Sequence, residues 1–331
     1  MFIGFLKSNP LPVIRISVEN TLAHVQTKSV QRFVELITSQ LHGQYDVEFY
    51  PSASLFKDAD IFRALAQGKV EIAVPGTWHF DKAVPEVGLF LLPSLYGQKA
   101  SISYGLMESN VGKSIIQSIE KNIDVKVLGR LIDLGHTHIF LTDSAITSLH
   151  DFKDKKIRVA GGVGNSLRVS SLGATPLTIA WPALSLALKK KTIDALLTSY
   201  ESMVSAKLHQ QGITYVYEDN EYFAQYIPIT SRIFWEKLSP NTQNIILTSW
   251  ETIVDEARID AKKAQEDAKA VIIASKTTII TPSDEIIKIT RDKLLEKEKA
   301  IALEIGISPQ TYTLFSAFFE NIDTPNYELL R

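Results

Sequence analysis

The residues best suited to chemistry in this chain are Arg158 and the glycine-rich turn that follows it, Gly161-Gly162-Val163-Gly164. Arg158 lies near the end of Lys156–Val159, which reads as a short strand. A guanidinium at that edge offers a bidentate contact to a carboxylate, unless an acidic neighbour takes it. The glycine turn stands between a strand and a helix, as a phosphate cradle would. It lacks the lysine and the spacing of a phosphate loop, so it reads as a flexible turn letting a ligand approach the backbone. His136-Thr137-His138 puts two imidazoles on one face of a strand, a spacing that permits metal ligation. No third ligand is near in sequence, so the pair reads as hydrogen-bonding histidines at a domain crossing, and no metal or cofactor is expected. The sequence has no G-x-S-x-G elbow and no H-E-x-x-H pair. With no cysteine, thiol catalysis, zinc–thiolate sites, iron–sulfur clusters and disulfide scaffolds are excluded.

The 331 residues suffice for two domains, each with its own core. Lys and Arg number 35 against 37 Asp and Glu, so there is no basic footprint and no nucleic-acid partner is expected. Hydrophobic residues at 45% and charged residues at 22% are ordinary for a soluble globular chain. No stretch reaches the ~18–20 apolar residues of a membrane span. Met1–Leu6 is apolar but lacks the charged start and cleavage site of a secretory leader.

The elements that must position these residues repeat along the chain. Ile14, Ile16 and Val18 alternate with polar neighbours as a strand. A helix from about His24 to Leu41 follows, with Val30, Phe33, Val34 and Ile37 on one stripe, and then a strand at Val47–Tyr50. This βαβ unit implies parallel strands. A helix at Asp58–Gln67 leads to a strand at Val70–Val74. The pattern restarts near His138, with strands at His138–Leu141, Lys156–Val159 and Ile193–Leu197. The segment ALAQGKVEIAV (64–74) aligns with ALKKKTIDALL (187–197). If the halves are equivalent, Pro75–Trp78 and Thr198–Glu201 are matching loops beyond strand carboxyl ends, where open α/β sheets bind ligands. Ser239-Pro240 then opens a run of apolar residues spaced by three or four as far as Val271. A helix of about 35 residues would be roughly 50 Å long, enough to brace both domains. A second long helix is expected from Ser283 to about Glu304, before an aromatic-rich tail at Tyr312–Phe319.

From about Ile14 to Asn321 the sequence resembles the solute-binding proteins of tripartite ATP-independent periplasmic (TRAP) transporters. The likeness is carried by EFYPSASL around Pro51-Ser52, LAQGKVEIAV, and VPEVGLFLLPSL from Val84 to Leu95. It continues through LHDFKDKKIRV from Leu149 to Val159, LGATP from Leu172 to Pro176, LALKKKTIDAL, and FWEKLSP from Phe234 to Pro240. Each motif alone is weak; their order and spacing together are specific. The resemblance implies an α/β fold of two domains joined by hinge strands and a long bracing helix. The first domain is expected to comprise residues 1–135 and 222–262, the second 136–221 and 263–331, with a ligand cleft between them.

It further implies a periplasmic protein that closes on a small organic acid and delivers it to a membrane permease driven by an ion gradient; the composition shows no obvious dimer seam, so a monomer is expected. The leader that such proteins carry is not evident here. Arg158 falls on the family's carboxylate-clamping arginine. Trp78 and His79 match a loop that lines the pocket, and Asn20 and Thr21 match the ligand-facing turn after the first strand. There are departures. Thr198 stands where an asparagine commonly meets the ligand, and His136-Thr137-His138 stands where many members have an arginine. His138 is therefore a candidate ligand contact, and Trp78, Trp181, Tyr200 and Tyr226 are candidates for an aromatic wall. The competing reading is a bilobal enzyme acting on a small carboxylate, with His136, His138 and Glu201 meeting in the cleft.

Overall fold

The computed structural model describes residues 10–322; Met1–Leu6, read above for a leader, lies outside the described residues. The first sheet contains β1 (Val13–Ser17), β2 (Asp46–Tyr50), β3 (Ile72–Ala73) and β4 (Val125–Val127). The hinge ribbon is β5 (Ile132–His136) paired antiparallel with β11 (Phe223–Tyr226). The second sheet contains β6 (His138–Leu141), β7 (Lys156–Val159), β8 (Thr175–Thr178), β9 (Ala195–Thr198) and β10 (Tyr215–Tyr217). After the ribbon, β12 (Ile229–Ser231) returns to the first sheet, and β13 (Thr278–Ile280) joins the second.

The strand orders reveal the repeat. The first sheet runs β2-β1-β3-β12-β4, and the second contains β8-β7-β9-β6-β10. In each, the first three strands are mutually parallel and the next two pairings are antiparallel. Ile16 pairs with Ile72 as Ile157 pairs with Ala195, so Ser17 and Arg158 hold equivalent places at the ends of β1 and β7. The alignment of 64–74 with 187–197 thus reflects a shared topology. It brings the loops after β3 and β9 to one cleft.

Local chemistry explains the main helices. His24 N-caps Val25–Gln40 by accepting from the Gln26 N–H, and the helix buries Val30, Phe33 and Ile37 against the first sheet. Ser239 caps Pro240–Ala274, a single helix of 35 residues with proline in its first turn. It packs on Val25–Gln40 in the first domain and on Tyr200–Ser205 in the second, so it braces both.

The carboxyl-terminal stretch differs from expectation in two ways. The helix expected from Ser283 to Glu304 is divided into Asp284–Leu295 and Glu298–Ile305. The turn between them lets the Glu298 carboxylate accept hydrogen bonds from the Ser94 N–H (2.6 Å) and Oγ (2.7 Å). Residues 263–331 were also expected to belong to the second domain. β13 does join the second sheet, but Ile301, Ile305, Phe315 and Phe318 bury their side chains with Leu89, Val111, Ile115 and Ile119 of the first domain. Apolar faces on these helices complete that core, and the chain crosses back to reach it.

Candidate functional site: the interdomain cleft

Arg158 is 1% exposed and sits at the floor of the cleft. Its Nε–H donates to the Ile179 carbonyl at 2.9 Å, and its guanidinium carbon lies 5.4 Å from the centre of the Trp181 ring. The terminal nitrogens make no hydrogen bond among the described residues. Burial pushes its pKa down to about 10, with Glu19 and Tyr222 acting the other way, so it remains a cation at neutral pH. A buried guanidinium held from behind and unpaired in front is arranged to receive an anion.

The turn after β1 faces it. Asn20 Nδ2–H donates to the Tyr226 hydroxyl and to Gln26 Oε1, both at 3.0 Å, which fixes the amide at the cleft wall. Trp78 stands edge-on to Tyr226 with ring centres 5.4 Å apart. Its indole N–H is buried without a hydrogen-bond partner among the described residues. A Cβ on Gly76 would lie 2.3 Å from the Trp78 ring, so only glycine lets the indole fold back over its own loop. Thr198, at the end of β9, and Tyr226, at the end of β11, complete the expected set that lines the cleft, whose volume is about 40 Å³.

Four expected residues do not line it. Thr21 leaves the wall to Asn20 and offers its carbonyl to the His24 N–H instead. His79 sits behind the wall, its Nε2 3.7 Å from Asp58 Oδ2. Burial, then the charge of Arg158, pushes its pKa down to about 3, so the imidazole is neutral. His138 and Tyr200 face away, with ring centres 5.0 Å apart, into a larger cavity of about 490 Å³ between the hinge ribbon and the long helix. Alternation is the reason: His136 and His138 share the rear face, so Thr137 between them points to the cleft. The Tyr200 hydroxyl donates to Glu218 at 3.1 Å on that rear side.

The wall also contains residues that sequence reasoning missed: Glu19, Thr137, Ser202 and Tyr222. Strand alternation about His136 would have found Thr137, and the turn containing Asn20 would have found Glu19. Ser202 and Tyr222 carry no comparable signal. Glu19 is half-buried, and its carboxyl pKa is raised chiefly by burial. The neighbouring Asp58 is pushed well above the usual carboxylate range by burial and then by Glu19.

Two carboxylates tie the domains together around the cleft. Glu201, in the first turn of the helix Tyr200–Ser205 that follows β9, accepts from the Val25 N–H (2.9 Å) at the start of the first domain's helix. Its other oxygen lies 2.9 Å from His24 Nε2, which is also 3.1 Å from Ser202 Oγ. Burial opposes ionisation of Glu201, but His24 and the Val25 N–H outweigh it and its pKa is lowered. Conversely, Asp81, beyond β3, accepts from the Gly164 N–H (2.9 Å) at the start of the equivalent helix Val163–Ser171 in the second domain. Each domain thus caps a helix of the other.

The glycine turn serves the same contact, and none of its four residues lines the cleft. A Cβ on Gly162 would lie 2.8 Å from the Trp78 carbonyl oxygen, and one on Gly164 would lie 2.8 Å from Leu91. Glu201 does not meet His136 or His138. His24 Nδ1 accepts from the Gln26 N–H, so His24, Glu201 and Ser202 lack the relay of a hydrolase triad.

Comparison with known proteins places this geometry. The C4-dicarboxylate-binding periplasmic protein DctP of Shewanella loihica is 25% identical over 260 residues, 76% of this chain and 74% of that protein. The sugar acid binding protein DctPAm of Advenella mimigardefordensis, solved in complex with galactonate, superposes with a TM-score of 0.86 at 19% identity. That match covers 94% of this chain and 99% of the other. A TRAP periplasmic solute binding protein of Shewanella oneidensis with bound succinate gives 0.82 at 20% identity, covering 94% and 99%. At these identities the solved structures establish a shared fold. Residues 16–304 match the family model for bacterial extracellular solute-binding protein, family 7, known as DctP. The chain belongs to that family, the solute-binding proteins of TRAP transporters, whose members bind solutes and are not enzymes.

Proposed function

We propose that this protein works in the periplasm, captures a small organic acid in the interdomain cleft, and presents it to the membrane subunits of a TRAP transporter. Arg158 carries the reading: a buried cation whose terminal nitrogens are unpaired at a cleft between two domains. Trp78 from the first domain and Trp181 from the second pack the body of the acid, so the ligand bridges the hinge. Asn20, Thr198 and Tyr226 supply polar contacts along the wall. Closure follows because the ligand touches both domains only in the closed form, and such differential contact shifts the equilibrium. The protein acts as a monomer. The names of the relatives support an acid, since one is described as a C4-dicarboxylate binder and another was solved with galactonate. No helix among the described residues is long and apolar enough to cross a membrane.

Thermal shift across a panel of carboxylates and matched neutral sugars tests this. A ligand at 100 times its Kd adds about 2.7 kcal/mol to the folded state, a shift of several degrees. The expected result is stabilisation by carboxylates alone. Stabilisation by neutral compounds alone would remove the acid-binding role.

A further inference from the structure

Resting on the acid-binding reading above, we propose that the ligand is a monocarboxylate carrying a hydroxyl or ammonium donor. Its carboxylate sits on Arg158 and its donor on Glu19, and dicarboxylates are rejected. The charges on the cleft wall point to this. Among the residues lining the cleft, Arg158 is the one cation and Glu19 the one anion. A second ligand carboxylate would find no further cation and would face the half-buried Glu19 carboxylate. An unpaired buried charge is costly, so this arrangement selects by repulsion as well as by attraction.

The group behind Glu19 strengthens the point. The Asp58 N–H donates to Glu19 Oε1 at 3.4 Å, and Asp58 itself is 6% exposed with His79 beside it. Because His79 is neutral, it does not offset these carboxyls. Glu19, with Asp58 behind it, puts acidic oxygens on the first-domain side of the cleft. Arg158 lies on the second-domain side. A ligand with an anionic end and a donor end matches that polarity, whereas a dianion matches only half of it. Trp78 adds a buried, unpartnered N–H to the same wall, suited to an acceptor oxygen between the two ends.

The experiment uses calorimetry on the full chain with pairs matched in carbon skeleton: lactate and malonate, 4-hydroxybutyrate and succinate, gluconate and glucarate. The hydroxy-monocarboxylate is expected to bind at least about tenfold tighter than its dicarboxylate partner. In Glu19→Gln that preference should fall to about threefold or less, with Glu19→Asp, which keeps the charge, retaining it. A dicarboxylate binding as tightly as its partner in the wild type would overturn the proposal, as would a preference unchanged in Glu19→Gln. Arg158→Ala separates the two levels. If dicarboxylates win and Arg158→Ala abolishes binding, this inference fails while the acid-binding reading stands. Acid binding unchanged in Arg158→Ala overturns both.

Discussion

At the scale of single residues, charges removed from water matter most. Asp58 is buried beside Glu19, and its raised pKa means that ionising it costs folding stability. Such a group leaves stability intact below its unfolded value, near pH 4, and lowers it as pH rises through the folded value. Asp58→Asn should therefore melt higher than the wild type at pH 7 and equally below about pH 4. Melting curves at both pH values check this, and a lower melting temperature for the variant at pH 7 would refute it. Such a strained carboxyl is invisible in sequence, where Asp58 reads only as a helix-start residue. Arg158, Asn20 and Trp78 are legible because each ends a strand or follows one, and strand ends define the cleft. His138 and Tyr200 mislead because type and neighbourhood suit them to a pocket, whereas the face is decided by one residue of register.

Among the elements, the long helix is the most readable, since Ser239-Pro240 marks its start and uninterrupted apolar spacing carries it to Ala274. The break at Glu296–Lys297 is not readable. It coincides with a tertiary bond, Glu298 to Ser94, between residues far apart in the chain. The glycine turn shows how an element can be recognised and its partner mistaken. Gly162 has φ +85° and its Cβ position meets the Trp78 carbonyl, a backbone atom of the other domain that cannot yield cheaply. Gly162→Ala should cost about 1–3 kcal/mol of stability and weaken ligand binding together, because the contact exists only when the domains meet. Chemical denaturation alongside a ligand titration reads both, and an unchanged affinity would show that the turn does not belong to the closed interface.

Across the whole molecule, the repeated topology builds the cleft. Equivalent strand edges face each other, and equivalent helices are capped reciprocally by Glu201 and Asp81. The sequence reveals the repeat through one aligned segment, but not the capping pair, because each carboxylate accepts from a backbone N–H of the other domain, a partner that no residue type announces. Glu201 has a lowered pKa, so its contribution is present above its unfolded value near 4.5 and is lost as pH falls through the folded value. Glu201→Gln should weaken ligand affinity about three- to tenfold at pH 7, and this penalty should shrink under acid. An identical penalty at pH 7 and pH 4 would contradict an ionic latch.

The central claim is that a carboxylate held by Arg158 closes the cleft. Titration of the tightest-binding acid into wild type and Arg158→Ala by calorimetry tests it most directly. A hydrogen-bonded, desolvated charge pair contributes roughly 1.5–3 kcal/mol, so affinity should fall about 10- to 150-fold in the variant while its melting temperature without ligand stays close to the wild type. Equal affinity in the two proteins would contradict the account.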